Sequence, residues 1–102
     1  MALPKDFDGF EDTLHHNEPP QSWPNPLKSL WLDAKDDWEA AHDLVDGLET
    51  PMANWVHAYL HRKEGDEWNA EYWYRQAGQP YFEGPLEEEC KNLIKVCLGK
   101  YL

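Results

Sequence analysis

The sequence is short of positive charge. Nine lysines and arginines stand against twenty aspartates and glutamates, a net charge of −11 at pH 7. Such a surface repels phosphate backbones and anionic headgroups over long range, so neither nucleic acid nor an anionic membrane is expected as a partner. Long apolar runs are missing as well. No segment approaches the ~18 apolar residues of a membrane span, and "MALPKDFDGF" opens acidic, without the apolar core of a secretory leader. Cysteine is limited to Cys90 and Cys97. Seven positions apart on one helix, their Cα atoms stand about 10 Å apart, too far for a bridge. Both read as reduced thiols, and the chain as a cytoplasmic protein. Serine occurs only at positions 22 and 29, neither in a Gly-x-Ser-x-Gly elbow. The six glycines are scattered, which leaves no phosphate-cradling loop. Val, Ile and Thr are scarce and no stretch alternates, so strands are excluded and the expected fold class is all-α.

What is present is a folding composition: 41% apolar, 14% aromatic and six tryptophans in 102 residues, enough for one domain with a modest core. Residues 1–25, with "NEPPQ" and "SWPNP", show no period and read as an extended N-terminal arm that Phe7, Phe10, Leu14 and Trp23 pin down. Residues 26–102 read as a single helical domain, a compact bundle of about four to five helices. Asn25-Pro26, Thr50-Pro51 and Gly84-Pro85 are helix starts. Leu27, Leu30, Trp31, Ala34, Trp38, Ala41, Val45 and Leu48 mark one helical face. Met52, Trp55, Val56, Tyr59 and Leu60 mark a second; Ala70, Trp73, Tyr74 and Ala77 a third; Leu86, Cys90, Leu93, Ile94 and Cys97 a fourth. Between the second and third, Gly65 supplies a left-handed stop and Asp66 a cap for the next helix. "DDWEA" at 36–40 and "DEWNA" at 66–70 match at an offset of 30, which suggests that this joint occurs twice.

"AYLHRKEGDEWNAEYWYRQA" resembles the tetratricopeptide and Sel1-like helical hairpin, through Ala58, the Gly65-Asp66 turn, Ala70, Tyr74 and Ala77. The likeness spans about residues 52–80. It departs from the pattern at His57, where a leucine is usual, and in the register of Trp55. It implies antiparallel hairpins and a role in protein–protein contact. The chain as a whole also resembles a family of small uncharacterised proteins, which implies no function.

The polar residues hold the chemistry. On the helix that starts at Pro51, His57, His61 and Glu64 fall on one strip beside the apolar face. His42 lies on the apolar face of the preceding helix, within reach if the two pack antiparallel, and Asn69 flanks the next. Histidines four apart can share a divalent metal, with His42 or Glu64 completing the shell. The zinc-protease pattern needs Glu directly after the first histidine, and Ala58 stands there. The same His42, His57, His61 and Glu64 are the candidates for metal-free acid–base catalysis. A satisfied polar network that fixes helix register is the alternative to both, with Arg62 paired to Asp66 or Glu64. No cofactor is otherwise expected.

Trp68 and Tyr72 fall opposite Ala70, Trp73 and Tyr74. Either the arm covers them, through Trp23 or Phe10, or they form a subunit or partner interface; cover by the arm is the expectation. The leading functional reading is a helical protein–protein interaction module, self-association included. The rival is a small metal-binding protein or enzyme built on the histidines.

Overall fold

A computed structural model describes residues 2–101. The protein is all-α: 67% is helical, and no strand occurs among the described residues. The helices are α1 (Phe7–Asp12), α2 (Asn25–Ala34), α3 (Trp38–Val45), α4 (Pro51–Lys63), α5 (Glu67–Ala77) and α6 (Leu86–Tyr101), with a short 3₁₀ turn at Thr13–His15. None is long and apolar enough to cross a membrane.

The caps explain where the helices begin. Thr50 accepts from the Ala53 amide ahead of Pro51, and Asp66 accepts from the Asn69 amide. Each satisfies an N–H that the helix itself leaves free. Gly65 at φ 88° makes the left-handed turn between α4 and α5.

The helical face read across residues 27–48 is two helices rather than one. Asp36 takes a left-handed φ of 65°, which breaks the chain between Ala34 and Asp37, and Asp37 then caps α3 by accepting from Ala40 N. The α2–α3 joint matches the α4–α5 joint residue for residue at an offset of 29, not 30. Asp37 N donates to Leu32 O and Asp66 N to His61 O, both at 2.9 Å. Asp36 stands where Gly65 stands, and Ala41 and Ala70, both fully buried, occupy matching positions. At matching positions on the first helix of each pair, Ser29 donates to Ala41 O at 2.7 Å and Ala58 is fully buried against Ala70. Small residues there let the paired helices approach closely. The chain thus contains two helical hairpins of one design.

The arm is folded rather than extended. Asp6 accepts from Gly9 N at 2.8 Å and starts α1. That turn presents Phe7 and Phe10 to the core, where Phe10 stacks on Trp23 with ring centroids 6.1 Å apart. Trp31 Nε1 donates to Thr13 Oγ1, and Lys35 Nζ to Leu14 O, fastening the arm over α2. The radius of gyration, 12.5 Å, is what a compact chain of this length has with its arm folded in. Phe10, Trp23, Leu27, Trp31, Val45, Val56 and Leu60 form the core that α6 closes with Leu93 and Ile94.

Candidate functional site

The two hairpins meet along α3 and α4, and there the histidines converge. His57 and His61 project from α4 one turn apart, with ring centroids 4.9 Å apart and rings 22° from parallel. His42 enters from α3. Its Nε2 lies 2.9 Å from His57 Nε2, and its centroid lies 4.6 Å from His57 and 5.2 Å from His61. One ring nitrogen from each of the three lies within 4.8 Å of the others. The question left open by the sequence, whether His42 reaches the strip, is answered by packing: it does.

Aromatic walls hold the rings. Trp38 stacks on His42 at 5.0 Å and meets His61 edge-on at 5.8 Å, while its own Nε1 donates to Leu60 O. Trp73, from α5, stacks on His57 at 3.9 Å. His57 and His61 are buried, and the His42 side chain keeps 22% exposure, so solvent reaches the cluster on its side.

Hydrogen bonds divide the roles. Glu64 Oε2 sits 2.6 Å from His61 Nδ1. A proton held there leaves Nε2 of His61 as the free donor atom, the arrangement that metal-ligating histidines use. His57 differs. Its Nδ1 is buried and has no hydrogen-bond partner. The Nε2–Nε2 contact with His42 permits either ring to donate, yet both tautomers leave Nδ1 of His57 unsatisfied. Burial, then the neighbouring His42 and His61, lower the His57 pKa to about 4. Asp46 opposes the shift. At neutral pH His57 is an uncharged imidazole, suited to a metal and poorly suited to donating protons.

The other expected residues fall apart from this centre. Asn69 does not join it: its side chain donates to Asp66 Oδ2 at 2.6 Å and tightens the α5 cap. Arg62 pairs with neither Glu64 nor Asp66. It reaches Glu89 Oε1 at 3.1 Å and also donates to the Gly84 carbonyl. Trp68 and Tyr72 are exposed, at 78% and 47%. The arm does not cover them, because the α1 turn commits Phe10 and Trp23 to the core beside α2 and α6. Surface clefts of about 540 Å³, beside Phe7, Lys91 and Lys95, and of about 330 Å³, beside Phe10, Asp33, Tyr59 and Cys90, lie on the α6 side and include none of the three histidines.

Sequence reasoning missed two ion pairs whose carboxylates are buried. Glu89, fully buried on α6, accepts from Trp55 Nε1 at 3.2 Å, from Arg62, and from Tyr74 Oη at 2.5 Å. Burial pushes its pKa up, while these donors hold the charged form. Asp33 on α2, also buried, meets Lys63 Nζ at 2.9 Å. Compared with family models, curated proteins and solved structures, the chain matches none.

Proposed function

We propose that the protein is a small helical metal-binding protein whose centre is His42, His57 and His61, with Glu64 orienting His61. The observation that carries this reading is the convergence of three imidazoles from two helices. A divalent ion about 2.0–2.1 Å from each nitrogen would space tetrahedral ligands about 3.3 Å apart. The His42–His57 separation of 2.9 Å is already close to that value. Three imidazole nitrogens suit Zn²⁺, Co²⁺, Ni²⁺ or Cu²⁺ and poorly suit Mg²⁺ or Ca²⁺. Asp43, 4.0 Å from the outer nitrogen of His42, and Glu64 supply negative charge around the centre.

The test is protein prepared without a histidine tag, melted with a chelator and with Zn²⁺. At an ion concentration a hundred times Kd the fold gains about 2.7 kcal/mol, which raises Tm by about 10–20 °C in a domain of this size. Less than about a tenth of an equivalent bound, with an unchanged Tm, refutes the proposal.

Trp68 favours a second reading, a module that self-associates through α5. The duplicated hairpin, with its likeness to tetratricopeptide and Sel1-like repeats, supports it. On the same face Glu71 and Arg75 pair at 2.7 Å, and such a pair is self-complementary about a two-fold axis. Sedimentation equilibrium is expected to show a dimer that Trp68→Ser dissociates. A monomer at all accessible concentrations removes this reading.

A further inference from the structure

We infer that the ion held by His42, His57 and His61 keeps one exchangeable coordination position, which takes water or a small monodentate anion. This inference rests on the metal reading above. It concerns what the protein does not supply: a fourth ligand.

Asp46 acts on His57 only through its charge: it is exposed and joins none of the ligand-type groups among the described residues, and the other nearby candidates point elsewhere. Glu64 Oε2 is 2.6 Å from His61 Nδ1, on the outer nitrogen of that ring. Asp66 belongs with His61 and Glu64 to a second group of ligand-type atoms within 4.8 Å of one another. Both its oxygens are engaged, however: Oδ1 accepts from the Asn69 amide at 3.2 Å and Oδ2 from the Asn69 side chain at 2.6 Å. Those bonds hold its pKa down and fix it as the cap of α5. Asp43 approaches His42 at Nδ1, whereas Nε2 of that ring faces His57. The thiols of Cys90 and Cys97 are on α6, packed with the main core. Among the described residues no fourth ligand-type side chain lies within 4.8 Å of all three histidine nitrogens, and three protein ligands is the count of a reactive site, whereas closed structural sites use four.

The surroundings set the size of the fourth ligand. Trp38 and Trp73 lie flat against His42 and His57, so two sides are walled by rings. The remaining approach is from the side on which the His42 and His61 side chains retain 22% and 11% exposure. The clefts beside Phe7 and beside Cys90 lie on the α6 side, away from this approach, and water, hydroxide or a small anion needs no cleft. An ion held there would lower the pKa of its bound water toward about 7; a small electrophile would meet that water, and an inhibitory anion would replace it.

Co²⁺ serves as the probe, because its visible spectrum reports coordination directly. Untagged protein loaded with one equivalent of Co²⁺ is titrated with azide. The expected result is a change in position and intensity of the visible bands that saturates at one azide per ion, with Co²⁺ retained. A spectrum that ignores azide while Co²⁺ stays bound overturns the inference and leaves the metal reading standing. Glu64→Gln sharpens the test. If the azide response appears only in that variant, Glu64 swings from His61 to fill the position in the native protein, and the inference fails. No uptake of Co²⁺ in either protein overturns the metal reading and this inference together.

Discussion

Glu89→Ala is expected to destabilise the fold by about 3–5 kcal/mol, the cost of breaking a buried ion pair from one side. The carboxylate is fully buried and joins three helices: α6 carries it, Trp55 and Arg62 reach it from α4, and Tyr74 from α5. Alanine leaves the Tyr74 hydroxyl and the Trp55 indole N–H without an acceptor. It also strands Arg62, whose side chain is only 14% exposed, with the Gly84 carbonyl as its remaining hydrogen-bond partner and the Phe82 ring 5.4 Å away. Against a total stability of about 5–15 kcal/mol for a small domain, that loss removes a large part of the margin. Glu89→Gln is expected to cost less, since the amide oxygen still accepts while its NH₂ faces donors. The exposed neighbour Glu87 is the control, and Glu87→Ala should leave the urea midpoint nearly unchanged. A Glu89→Ala variant within about 1 kcal/mol of wild type in urea unfolding would show that these contacts do not hold α6 in place.

Glu89 also shows what the sequence conceals. It stands in "LEEEC", three positions after Leu86 and four before Leu93, and so on the apolar stripe of α6. Face arithmetic alone marks it as inward. A run of three glutamates reads instead as a solvated first helical turn, and its partners are 27 and 34 residues away on α4 and 15 away on α5. Local chemistry was legible by contrast. Thr50-Pro51 and Gly65-Asp66 bound helices in the structure because caps and left-handed glycines act within four residues. The break at Asp36 was hidden, since the turn keeps the apolar spacing intact and aspartate rarely adopts that conformation. Matching the tryptophans therefore misplaced the repeat by one residue. At the candidate site, His57 and His61 share an edge by helical spacing alone, whereas the arrival of His42 depends on how α3 packs on α4. The arm was hardest to read: α1 is too short for a period, and only the Asp6 cap and the Phe7–Phe10 spacing announce it.

His57→Leu is expected to stabilise the metal-free protein while abolishing its response to metal. His57 is 1% exposed, and its Nδ1 has no partner in either tautomer, a burden of about 1–3 kcal/mol for a buried polar group. Leucine is close to histidine in volume, can lie against Trp73, and removes that burden. His42, partly exposed, can turn its freed nitrogen to water. Proton linkage adds a pH signature. The folded His57 takes up a proton only near pH 4, held off by burial and by His42 and His61 against the pull of Asp46, while the unfolded chain takes one near 6.5. As pH falls through that window the unfolded state binds more protons, so the native protein loses stability, by about 2–3 kcal/mol near pH 4.5. The leucine variant lacks this loss. Its advantage in urea unfolding should therefore widen from pH 7 to pH 4.5 and stop widening below pH 4. In parallel, the Zn²⁺-induced rise in Tm should vanish. If leucine instead destabilises the chain at both pH values and the Zn²⁺ response survives, then His57 is a packing residue and the metal centre lies elsewhere. The predicted pairing, a more stable fold with no metal response, would mean that His57 is kept at the expense of stability for the ion it holds.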